Sequence, residues 1–101
     1  MTASTVAVDA LEGEPHAVAF GGEEPRTVRL SLDAGEGIAE HSHPDREIVC
    51  HLVSGRLRMR IDGEDHELRA GDLARFDGEQ SISPKAIEES VAVLVLARRA
   101  D

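Results

Sequence analysis

Apolar and polar residues alternate with a period of two through much of this chain, the period of strands with one buried face. In RLRMRIDGEDHELRAGD, Leu57, Met59 and Ile61 alternate with Arg56, Arg58 and Arg60, and Asp62-Gly63 supplies the two-residue turn of a hairpin. Pairing Ile61 with Glu64 sets Arg60 opposite Asp65, Met59 opposite His66, Arg58 opposite Glu67 and Leu57 opposite Leu68. Opposite charges then meet on the outer face and apolar groups on the inner one, each pair contributing about 0.2–1 kcal/mol. Further strands are predicted over 16–20, 27–33, 46–53, 72–76 and 90–97, with a weaker one over 5–11, punctuated by Gly21-Gly22, Ala34-Gly35, Ser54-Gly55 and Ala70-Gly71. No stretch carries a 3.6-residue apolar period, so the pattern predicts an all-β sandwich or barrel with little or no helix.

At 101 residues the chain holds one core, and a site must lie inside it or at its mouth. No apolar run approaches the ~20 residues of a membrane span, and MTASTVAVDALEGEP lacks the basic start and apolar stretch of a signal peptide. The expectation is a cytoplasmic protein. Twenty acidic residues against eleven basic ones give a net charge of −9, which repels phosphate backbones and anionic lipids, so neither nucleic acid nor membrane is an expected partner. Lys85 is the one lysine, and the acids are spread along the whole chain. That composition suits a salt-rich, halophilic cytoplasm, with an ordinary acidic protein as the alternative. The single Cys50 excludes an internal disulfide and a cysteine-cluster zinc site, which leaves nitrogen and oxygen as metal ligands.

The stretch GEGIAEHSHPDREIVCHLVSG, residues 35–55, places His41, His43, Glu47 and His51 within eleven residues. Two imidazoles flanking one residue, with a carboxylate, form the open-sided set used for zinc, iron, manganese or nickel. The plainer reading is a solvated EHSHPD loop whose histidines and acids pair with Arg46. Strand parity leaves the choice open, because Glu47, Val49, His51 and Val53 share one face while Ile48, Cys50 and Leu52 share the other. If the first set points inward, Glu47 and His51 both enter the cavity; if the second does, the wall is apolar and both face away. A bulge could re-aim Glu47.

Gly35 lies six residues before His41, His43 follows, and Glu47 comes after a three-residue gap. In this the stretch resembles the first motif of the small single-domain cupins, and LVSGRLRMRIDGEDHELRAGD resembles their central hairpin and the approach to their second motif. The resemblance spans 26–97, with 1–25 as an N-terminal strand segment completing the barrel. It implies an all-β cupin jelly-roll barrel, commonly a homodimer, whose cavity in metal-binding members holds a divalent ion. Here Ser54 stands where the first motif closes with Gly, and Gly55 comes one place late; laid from Gly71, the second motif has Ile82 where its histidine ligand would fall. The implied metal ligands are His41, His43 and Glu47, with His51 standing in for the missing histidine, and the implied cofactor is Zn, Fe, Mn or Ni. As an enzyme such a chain would be a metal-dependent oxygenase, isomerase or lyase on a small carboxylate or sugar-like compound. The alternative is a metal-free ligand-binding or regulatory module that has lost the second-motif ligand. With Phe20 and Phe76 its only aromatic residues of the Phe, Tyr and Trp type, the chain suits a small polar or aliphatic ligand better than a large aromatic one. The homodimer is expected through an edge strand or an outer sheet face. His66, opposite Met59, and Cys50 read as packing residues, and His16 has no assigned role.

Overall fold

The computed structural model describes residues 3–99. Eight strands form two antiparallel sheets: β1 (His16–Ala19), β2 (Arg26–Leu32), β3 (Arg46–Ser54), β4 (Arg56–Ile61), β5 (Glu64–Arg69), β6 (Leu73–Asp77), β7 (Ile82–Ala86) and β8 (Ser90–Arg98). The larger sheet runs β1-β2-β8-β3-β6 and the smaller β5-β4-β7. Their inner faces close on Ile48, Cys50 and Leu52 from one side and Leu57 and Met59 from the other, each no more than 1% exposed. Burying side chains of this size contributes about 1.5–3 kcal/mol each for the larger ones, which is why the two sheets stay together. Among the described residues no helix is long and apolar enough to cross a membrane.

The β4–β5 hairpin has the register expected from charge and hydrophobicity, from Leu57↔Leu68 through Ile61↔Glu64. Its turn places Asp62 and Gly63 at φ 50° and 81°, the left-handed pair that matches strand twist. Arg60 and Asp65 meet at 2.8 Å on the outer face. His66 departs from its expected packing role: β5 is an edge strand, and the ring lies exposed, 3.3 Å from Glu64.

β3 carries one extra residue, with the β3–β8 register shifting between Leu52 and Ser54. This bulge explains the late glycine. Gly55 sits at φ 88°, where a Cβ would run into the Glu89 carbonyl and Ser90. The bulge lies downstream of Glu47 and does not turn it.

Two other departures have clear causes. The 5–11 segment is no strand; it contains a short 3-10 turn at Val8–Ala10, and Arg29 holds the segment against the outside of the larger sheet by donating to the carbonyls of Val8, Leu11 and Gly13 at 2.7–2.9 Å. Arg29 is 7% exposed, and its charge is met by carbonyl oxygens instead of a carboxylate. β7 was not expected at all, because ISPKA has Pro84 at its centre. Pro84 is tolerated because its missing N–H falls on the side of the 37–41 loop, where its carbonyl accepts from Ile38 N at 3.0 Å.

Candidate ligand site at the barrel mouth

The 33–45 loop carries His41 and His43 across one end of the barrel. His41 and Ile82 exchange backbone hydrogen bonds of 3.0 and 2.8 Å, which fixes the loop to β7. His43 N donates to Gly78 O at 2.6 Å, while Gly78 N donates to Arg46 O at 2.8 Å. Gly78 is needed for closeness, since a Cβ there would collide with the His43 and Arg46 carbonyls. The two imidazoles meet edge to face, their centroids 4.9 Å apart at 86°. His41 Nδ1 lies 2.8 Å from Ala39 O. A carbonyl only accepts, so Nδ1 carries the proton and Nε2 of the neutral ring keeps its lone pair.

Behind the rings lies a cavity of ≈ 120 Å³ walled by side chains such as Ile48, Met59, Phe76, Ile82 and Leu94. An apolar cavity of about 150 Å³ holds one benzene, so this one suits a body of a few carbon atoms. Ile82, where a second-motif histidine would fall, is 3% exposed and forms part of that wall.

β1 and β2 add two residues to the mouth that sequence reasoning left out. His16 is registered against Leu30 and Val18 against Val28, so both lie on the inner side of the sheet, at its rim. Arg26 opens β2 with the parity of Val28 and Leu30 and also lines the cavity. The only sequence signal for either is strand parity, because His16 is paired to the barrel by β1 and is remote from the His41 motif along the chain.

Partial burial lowers the affinity of His16 and His43 for a proton, and a charge on His41 lowers it further in both. Arg26, His16 and Arg46 add to the effect at His43. The Cys50 thiol is pushed up to about 11 by burial alone, which makes it an inert packing group.

The four residues expected to bind metal are not gathered together. His41 and His43 share the mouth, while Glu47 and His51 lie on the opposite, outer face of the larger sheet. Glu47 accepts from Arg75 Nε at 2.8 Å and from Arg99 Nη1 at 3.5 Å. His51 is exposed between the cross-strand neighbours Leu73 and Val93. Among the described residues, no group of three or more His, Cys, Asp or Glu side chains is arranged to hold a metal ion.

A two-sheet jelly roll with histidines over an apolar cavity defines a class of small barrel proteins. The cupin-domain family profile matches residues 28–97, and the chain belongs to the cupin family. A curated relative, "Polyketide synthase CurC" of Streptomyces cyaneus, is 50% identical over 36 residues, which are 36% of this chain and 23% of that protein. The match thus spans about a quarter of the relative's length. An uncharacterized conserved protein with a double-stranded β-helix domain from Klebsiella pneumoniae superposes with a TM-score of 0.82 at 22% identity, over 96% of this chain and 91% of that one. A cupin protein from Bacteroides fragilis superposes with a TM-score of 0.77 at 24% identity, over 99% and 86%. These superpositions establish the fold.

Proposed function

We propose that this cupin binds one small, largely apolar molecule in the cavity between its sheets, with the polar end of the molecule at the mouth histidines. The observation that carries this reading is the cavity wall itself: β3 contributes Ile48, and Ile82 occupies the place of a second-motif ligand. The test is a library of compounds of about five to nine heavy atoms, sized to the cavity, read by NMR shifts of the Met59, Ile48 and Ile82 methyl groups. A library that leaves these methyls unmoved sinks the reading.

A second reading keeps a divalent ion, Zn, Fe, Mn or Ni, at His41 and His43. It is favoured by the Nδ1–H···O=C contact of His41, which orients Nε2 as a ligand nitrogen in the way carbonyl-anchored histidines serve metals. With two imidazoles and no carboxylate, the protein would supply only part of a shell, and we route no reaction step through the ion. Elemental analysis of untagged protein, with a His41→Ala/His43→Ala control, decides it. Metal absent from the wild type after reconstitution, or equal in both proteins, would remove it.

We further infer that two copies pair through the outer face of the larger sheet. There Val49, Val53 and Leu73 stand 37%, 43% and 70% exposed, aliphatic surface that a second copy would cover. Leu73→Glu combined with Val53→Glu is expected to convert a dimer to a monomer in sedimentation analysis. A wild-type monomer at micromolar concentration contradicts the inference.

A further inference from the structure

We infer that the molecule held at the mouth is a small carboxylate with a short aliphatic body, and that Arg26 is its ion-pair partner; this rests on the ligand-binding reading above. The first support is how charge is sorted. The chain has twenty Asp and Glu residues, yet none lines the cavity, whose ionisable lining consists of Arg26, His16, His41 and His43. Around a protein of net charge −9 the mean field repels anions, so a rim free of carboxylates is a local exception to the whole surface.

The second support is the state of Arg26. Most other guanidinium groups are occupied: Arg46, Arg56, Arg60, Arg69, Arg75, Arg98 and Arg99 each lie within 4.0 Å of a carboxylate, and Arg29 is held by three carbonyls, while Arg58, exposed on the outer face of β4 and away from the cavity, is the other arginine without such a partner among the described residues. Among the described residues Arg26 has no such partner. Nearby Glu24 is engaged by Arg46 at 2.7 Å and by Arg98 at 3.7 Å. Arg26 therefore presents a free planar fork at the end of β2, on the cavity side, and a carboxylate is the group that such a fork binds through two parallel hydrogen bonds.

The wall supplies the rest of the specificity. A sugar would bring many hydroxyl groups to side chains such as Ile48, Met59 and Leu94, which offer them no hydrogen bond. An aliphatic body loses nothing there, and ≈ 120 Å³ limits it to a few carbons.

3-Methylbutanoate and 3-methylbutanamide have the same shape and differ in charge. Titrating each into the full chain at low ionic strength, with Met59 and Ile82 methyl shifts as readout, separates the two layers of the inference. We expect the carboxylate to bind about tenfold more tightly than the amide, and Arg26→Gln to bring the two within about twofold of each other. Equal binding of the two compounds to the wild type overturns the carboxylate inference and leaves the cavity reading standing. A carboxylate preference that survives in Arg26→Gln, as it would if an ion at His41 and His43 held the carboxylate, overturns the role of Arg26. Shifts from neither compound overturn the inference for this body size, and the wider library then decides the cavity reading separately.

Discussion

On β3, Ile48, Cys50 and Leu52 face the core at 1%, 0% and 0% exposure, while Val49 and Val53, each one residue from a buried neighbour, stand 37% and 43% exposed on the outer face. Both faces are rich in aliphatic groups, so hydrophobicity alone does not decide which one turns in. The ionisable side chains do. Glu47 and His51 share the parity of Val49, and turning that face inward would strip water from a carboxylate and an imidazole with no partner inside. Outside, Glu47 lies between Arg75 and Arg99, 2.8 and 3.5 Å away. The comparison teaches that on a strand apolar on both sides, the cost of desolvating charge selects the face, and in this chain it moves half of the expected metal set away from the cavity.

The sharpest way to break the comparison is to truncate neighbours of opposite parity. Leu52→Ala should lower stability by about 2–5 kcal/mol, because it leaves a cavity in a close-packed core. Val49→Ala should cost no more than about 1 kcal/mol, most of it strand preference and cross-strand contact. Urea denaturation of the two variants measures both, and similar losses would mean that the faces are misassigned.

Arg29 tests the outer face at a place where it is buried. Its fork holds the 8–13 segment over β2, and Ala17, registered against Arg29, is 2% exposed. Arg29→Met keeps most of the stem and removes the donors. The expected loss is about 1–3 kcal/mol, since the freed carbonyls regain water only as the segment lifts. Hydrogen exchange at the 8–13 amides should quicken selectively, and uniform quickening across the barrel would show instead that Arg29 supports the whole sheet.

How much of this was legible depends on how many independent signals agreed. The β4–β5 register was fixed twice, by alternation of Leu57, Met59 and Ile61 and by the charges of Arg58, Arg60, Asp65 and Glu67. His41 and His43 were legible as a pair because one intervening residue keeps them together in any extended loop. Glu47 and His51 were legible as ligand types but not by face, since parity on β3 depends on which sheet covers which face. β7 was hidden by Pro84, whose tolerance depends on the 37–41 loop lying beside it. His16 reaches the mouth through the β1–β2 pairing and Arg26 through the β2–β8 pairing, and nothing local in HAVA or RTVRLSL marks them as neighbours of His41.

The mouth and the outer face should also part company in pH dependence, a smaller effect. His16 and His43 have proton affinities below the ordinary histidine value of 6.5, first because burial disfavours the imidazolium and then because of the neighbouring His41, with Arg26 and Arg46 also facing His43. Between those depressed values and 6.5 the unfolded chain binds more protons than the folded one. Their contribution is therefore intact above 6.5 and is lost as pH falls through 6.5 toward the folded values. On the outside, Asp65 and Glu67 are held below their ordinary 3.8 and 4.5, first by hydrogen bonds from Arg60 and Arg56 respectively, so their contribution is kept until pH falls through that lower range. Both losses run in the acid direction, in separate windows. Melting temperature from about pH 7.5 to about pH 5 should thus decline in the wild type and decline less in His16→Gln and His43→Gln, while Arg60→Gln leaves that slope in place, lowers the whole curve above 3.8 where Asp65 is ionised, and approaches the wild type only as pH falls below 3.8. A wild-type melt that stays flat until the carboxylate range would show that the mouth histidines take up protons at no cost, and that the rim is more open to water than its partial burial implies.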